Sequence, residues 1–103
     1  MARSEFDITP ITVNGRKIRR IIVDTHVRKH KDITDDLILD LVRQLDRSEQ
    51  VPDDIKGSYE YFSSLLYVGL KKYRLVWLLE DGEIYIGVIT AYRDKRKKWN
   101  GTT

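Results

Sequence analysis

The sequence predicts a single α+β domain: an N-terminal hairpin or strand, two helices, then a three-stranded antiparallel meander with the helices packed on one face. Three observations predict it. Asn14-Gly15 separates the runs "DITPITV" and "KIRRIIVD", and Asn-Gly tolerates the positive φ angles of a tight hairpin turn. Leu37, Ile38, Leu41, Val42 and Leu45 recur at helical spacing and make one apolar stripe. From Tyr59 onward the runs "YEYFSSLLYVG", "KYRLVWLLE" and "EIYIGVITAYR" are rich in the aromatic and β-branched residues that favour strands.

Each element has its own local reason. Pro10 lacks an N–H, which suits an edge strand or its first residues. Asp24 or Thr25 is placed to cap a short helix over "HVRKHK". Thr34 is placed to cap a second, with Asp35 and Asp36 in its first turn and Asp36, Asp40, Arg43 and Arg47 on its polar side. Pro52 and Gly57 in "VPDDIKGS" then break the pattern. Asp81-Gly82 reads as a two-residue turn joining strands at 72–80 and 83–92. In the last strand strict alternation puts Ile84, Ile86, Val88, Thr90 and Tyr92 on one face and Tyr85, Gly87, Ile89, Ala91 and Arg93 on the other. Both faces are largely apolar, as in a central strand. Tyr73 and Trp77 read as core.

With 103 residues the chain makes one domain, 1–103, with a basic tail from about residue 94 whose composition is prone to disorder. The absence of cysteine excludes a disulfide framework and a thiolate zinc site. No apolar run approaches the roughly 20 residues of a membrane helix, and "MARSEFDITP" lacks the apolar stretch of a signal peptide. The expectation is a soluble, cytoplasmic protein with no membrane partner. The net charge of +3 is modest but segregated. Residues 16 to 31 carry Arg16, Lys17, Arg19, Arg20, Arg28, Lys29 and Lys31 against Asp24, and residues 32 to 54 are predominantly acidic. Basic character returns at Lys71, Lys72 and Arg74 and again at Arg93, Lys95, Arg96, Lys97 and Lys98. If the basic segments meet in the fold they form one cationic surface suited to a polyanion; otherwise they are solvated strand ends and a tail.

The stretch "KKYRLVWLLEDGEIYIGVITAYRDK", with Arg74 in one strand and Tyr92-Arg93 closing the next, resembles the C-terminal half of the RelE/ParE toxin superfamily. The preceding "DTHVRKHKDITDDLILDLVRQL" is similar to the two-helix segment of that group and of the wider barnase-like and RelE-like nuclease clan. The resemblance covers about residues 20 to 95. It implies a toxin of a toxin-antitoxin pair that cleaves RNA without a metal or cofactor, on the ribosome in many members, with an antitoxin protein as partner. Arg74 matches the family's Arg on the Tyr-Arg strand and Arg93 the Arg of the terminal pair, while Tyr92 stands where many members have His. The aromatic that usually follows is here Trp99, which cannot exchange a proton.

Cleavage through the 2′-OH needs a proton acceptor, a proton donor and cations for the charge developing on phosphorus. His26 and His30, at i and i+4, suit both proton roles. Arg74 and Arg93 suit bidentate phosphate contacts, and Thr90 or Tyr92 can hydrogen-bond a phosphate oxygen. Arg28, Lys29, Lys31, Lys95, Arg96, Lys97 and Lys98 are the candidate RNA-binding cations. Each has a plainer role: the histidines on an exposed helix face, Thr90 and Tyr92 as strand residues, Arg74 paired with Glu60, Glu80 or Glu83. Two other functions remain open: a ParE-like inhibitor that binds a protein without catalysis, and a nucleic-acid-binding domain without activity. The nuclease geometry requires Arg74 and Arg93 to open on one groove, within about 10 Å of each other.

Overall fold

A computed structural model describes residues 3–24 and 32–95. It contains β1 (Arg3–Val13), β2 (Arg16–Asp24), α1 (Asp35–Arg43), β3 (Asp54–Lys56), β4 (Tyr59–Val68), β5 (Lys71–Glu80) and β6 (Tyr85–Arg93). All six strands join one sheet in the order β1-β2-β6-β5-β4-β3. Every neighbouring pair is antiparallel except β2 and β6, which run parallel with Ile21 beside Ile86 and Val23 beside Val88.

This corrects the expected fold class. The described chain is mostly β, a six-stranded mixed sheet with one nine-residue helix, and not a RelE-like α+β domain of two helices and a three-stranded meander. The meander is present as β4, β5 and β6, but the parallel β2–β6 pair adds the N-terminal hairpin to it. A parallel pair needs a long crossover, here everything between Asp24 and Tyr85, and such distant pairing leaves no periodic mark on a sequence. The first expected helix, over 26–31, lies outside the described residues.

Local chemistry accounts for the elements. Asn14 and Gly15 turn the first hairpin at φ 52° and 74°. Pro10 sits where the β1–β2 register slips between Asp7 and Ile11, on an edge strand where no ladder needs its missing N–H. The outer edge of β1 is partly covered: Arg47 N–H donates to Thr12 O at 2.6 Å, and Thr12 N–H donates to Asp46 Oδ1 at 2.8 Å. Thr34 caps α1, its Oγ1 accepting from Leu37 N–H at 3.2 Å. Ile38, Leu41, Val42 and Leu45 are fully buried against the sheet, and Gln44 Nε2 donates to Tyr67 O at 2.7 Å, fastening the end of the helix to β4.

The core lies between α1 and one face of the sheet. Ile18, Ile21, Val23, Phe62, Leu75, Trp77, Leu79, Ile86, Val88 and Ala91 point into it. Phe62 and Trp77, paired across β4 and β5, stack with ring centroids 4.1 Å apart. No helix among the described residues is long and apolar enough to cross a membrane.

Two register features depart from strict alternation. Glu80 precedes a four-residue loop, 81–84, rather than the expected two-residue turn at Asp81-Gly82, so Leu79 pairs with Ile86. In addition, Trp77 pairs with Val88 but Val76 with Thr90, leaving Ile89 as an extra residue on β6. That bulge exchanges the faces of everything after it. Val88 and Ala91 therefore both face the core, and Thr90 and Tyr92 face away.

Candidate nucleic-acid interface

The second face of the sheet carries no helix among the described residues. Reading across the register, it presents Tyr59, Tyr61, Ser63, Leu65 and Tyr67 from β4, then Glu80, Leu78, Val76, Arg74 and Lys72 from β5. Beyond these lie Tyr85, Gly87, Thr90 and Tyr92 from β6 and Ile22 from β2. Five of the six tyrosines stand on this open face, and Tyr73 alone is core. Tyr67, Tyr92 and Leu65 are exposed by 51%, 40% and 39%, more than a sheet face that is covered within its own domain would allow.

At one end of the face aromatics and cations interleave. Tyr67 faces Lys72 across the β4–β5 pair, and Leu65, Arg74 and Tyr92 stand in one row across β4, β5 and β6. Arg74 Nη2 is 3.4 Å from Asp94 Oδ2, and Asp94 is buried where its own N–H donates to Lys72 O at 2.9 Å. Asp94, rather than any of the glutamates, is thus the carboxylate partner of Arg74. Sequence reasoning missed it because its position opposite Lys72 depends on the bulge at Ile89.

Arg74 and Arg93 do not open on one groove. Arg93 pairs with Tyr73 and shares its core-side face, whereas Arg74 pairs with Tyr92 on the open face. Were Ile89 paired in regular alternation instead of bulged, the two arginines would share a face, which is what strict alternation predicts. Thr90 and Tyr92 do lie on the face of Arg74. Arg93, Lys95, Tyr92 and Asp32 gather at the end of the sheet around a shallow hollow. Among the described residues Lys71, Arg93 and Lys95 have no carboxylate within ion-pair distance. His26, His30, Arg28, Lys29, Lys31, Arg96, Lys97 and Lys98 lie outside the described residues.

The described cations at this end include Lys71, Lys72, Arg93 and Lys95. Segment 25–31 begins at Asp24, where β2 leaves the sheet parallel to β6, and ends at Asp32, beside Arg93 and Lys95. The C-terminal run of Arg96, Lys97 and Lys98 continues directly from Lys95. The opposite end is charge-balanced: Arg16 meets Glu60 at 3.1 Å, and Arg20 meets Asp7 at 3.0 Å.

Farther along the open face, Gly87 lies between Leu78 of β5 and Ile22 of β2. With no side chain there, a pocket of about 300 Å³ opens, walled by Tyr59, Tyr61, Tyr85, Ile22 and Ile89 with Arg3 and Asp24 at its rim. Tyr85 donates to Glu80 Oε1 at 2.5 Å. Burial, reinforced by that carboxylate, holds its phenol pKa well above the ordinary value, so the ring stays neutral and fixed. Period-two tyrosines in "YEYFSSLLY" were the legible signal for this face, obscured because the intervening Phe62 and Leu66 also read as apolar.

No group of three or more acidic or histidine side chains among the described residues is placed to hold a metal. Comparison with family models, with curated proteins and with solved structures gives no match for this chain.

Proposed function

We propose that this chain binds a single-stranded nucleic acid, without cleaving it, along the open face of the sheet and around its cationic end. The observation that carries the reading is the gathering of Lys71, Lys72, Arg93 and Lys95 at one end of the sheet, next to the exposed Tyr67 and Tyr92. Single strands are held by this combination: cations follow the backbone, and aromatic faces stack on bases whatever their sequence. A duplex offers its bases only in grooves, and a sheet face of half-exposed tyrosines does not enter one. Catalysis is left out because the paired arginines that a cleavage site was expected to need stand on opposite faces.

The test is fluorescence anisotropy of labelled RNA and DNA 12-mers at a series of salt concentrations. Four phosphates neutralised by Lys71, Lys72, Arg93 and Lys95 give a log–log salt slope of about −2.8, from roughly −0.7 per contact on a single strand. Replacing Lys71, Arg93 and Lys95 together by Gln should weaken binding and bring the slope to about −0.7, with the RNA itself recovered intact. Absence of salt-sensitive binding, or binding unaffected by the triple substitution, overturns the reading and leaves the open face to a protein partner.

A further inference from the structure

We infer that the pocket floored by Gly87 takes one unstacked base of the bound strand, which makes it the specificity site of an otherwise sequence-tolerant face. This rests on the single-strand reading above. The pocket opens on the same face as Lys72, Arg74 and Tyr92. Six residues of β5 separate Leu78 from Lys72, about 20 Å at roughly 3.3 Å per residue, so a strand of several nucleotides spans both.

Its shape and chemistry fit a base better than other small groups. A volume of about 300 Å³ is at the small end of ligand pockets, enough for one ring system rather than an extended molecule. The walls are aromatic and aliphatic: Tyr59 and Tyr61 stand side by side with ring centroids 6.3 Å apart, and Ile22 and Leu78 flank the floor. Such walls favour a flat π-system over a sugar or a phosphate. The rim is polar and two-signed. Asp24 can accept from an exocyclic amino group, as on cytosine, and Arg3 can meet the neighbouring phosphate. The Tyr85–Glu80 bond holds one wall in place before any ligand arrives, which lowers the ordering cost of binding.

Gly87 is the discriminating position. A Cβ built there would lie 3.0 Å from the Leu78 side chain, so any larger residue both fills the floor and pushes Leu78 toward the opening. The probes are an oligo(rC) octamer and an octamer of the same length with abasic sugars, titrated against the full chain by anisotropy. On the unaltered protein the abasic octamer, which loses every stacked base, should bind more weakly by more than the roughly 5- to 150-fold that one base supplies. Gly87→Ala and, separately, Tyr61→Ala should weaken oligo(rC) by about 5- to 150-fold, the share of one base, while leaving abasic binding and the salt slope unchanged. Retained circular dichroism and cooperative melting show that each variant is folded, and two variants guard against one failing to fold. Pocket variants that bind oligo(rC) normally, while the unaltered protein prefers it to the abasic octamer, overturn the pocket and spare the single-strand reading; equal binding of both octamers removes base stacking from this face and overturns both. If neither octamer binds, both fall.

Discussion

Ser64→Ala tests a polar chain that crosses the core. Trp77, fully buried, donates its indole N–H to Ser64 Oγ at 3.0 Å, and Ser64 donates in turn to Gln50 Oε1 at 3.3 Å. Gln50 is tied to the first hairpin turn, its N–H donating to Asn14 Oδ1 at 2.6 Å and its carbonyl accepting from Asn14 Nδ2 at 3.0 Å. Removing one hydroxyl changes the packed volume little, so cavity formation contributes little. The cost is that of the orphaned buried donor on Trp77, about 1–3 kcal/mol. For a domain of this size each kcal/mol moves the melting point by about 4–8 °C, which gives an expected fall of about 4–24 °C. Urea unfolding followed by fluorescence is the assay, in a Trp99→Phe background so that Trp77 is the reporter. The slope of stability against urea should stay constant while the midpoint falls. In a Trp77→Phe chain, where no indole needs an acceptor and unfolding is followed by circular dichroism, the same Ser64 change should cost at least about 0.5 kcal/mol less. A loss below about 0.5 kcal/mol with Trp77 present, or equal losses in both backgrounds, would refute the reasoning.

Leu41 is fully buried on the helix that covers the core, so Leu41→Ala should cost about 2–5 kcal/mol by equilibrium unfolding. A cost under about 0.5 kcal/mol would mean α1 faces elsewhere. The phenol of Tyr85 has a raised pKa in the fold, so its stabilising contribution is complete below about pH 10, the ordinary value, and is lost as pH rises beyond it. Tyr85→Phe should therefore lower stability near neutrality and make the alkaline decline shallower; parallel alkaline profiles would contradict this. Deleting Ile89 removes the bulge but keeps Val88, Ala91 and Arg93 on the core face and Thr90 and Tyr92 on the open one, so the shortened chain should still melt cooperatively. Ile89→Ala, which keeps the register, should cost about 1 kcal/mol or less, and a deletion variant that no longer melts cooperatively would refute the bulge.

What the sequence disclosed was local. The Asn14-Gly15 turn, the Thr34 cap, the buried stripe of α1 and the burial of Trp77 each follow from residues within one turn or one helical repeat of each other. What it concealed was long-range or a matter of counting. Strand β3 has three exposed residues and no apolar signal, so it reads as loop. The β2–β6 pair joins residues more than sixty apart, and both strands are apolar enough to have had other partners. For the candidate site the decisive quantity was parity. One residue, Ile89, decides whether Arg93 stands with Arg74 or behind it, and both faces of β6 are apolar enough that hydrophobicity does not reveal the shift.

The composition of the open face bears on the kind of ligand it suits. Protein interfaces are enriched in tyrosine and arginine but depleted of lysine, so Lys71, Lys72 and Lys95 beside this face are what favour a polyanion. The tyrosines stand toward the two ends of the face, Tyr59, Tyr61 and Tyr85 at one and Tyr67 and Tyr92 at the other, each ring offering a stacking surface and a hydroxyl that bonds water or a neighbour. The row of Leu65, Arg74 and Tyr92 sets a cation beside the rings at one end, and Asp94, 3.4 Å from Arg74, orients its guanidinium. A face of this kind remains soluble when empty and gains from a ligand that supplies flat rings and negative charge together. A single nucleic-acid strand supplies both along its length, and its phosphates can follow the chain around the end of the sheet to Arg93 and Lys95, which no arrangement confined to one face would need.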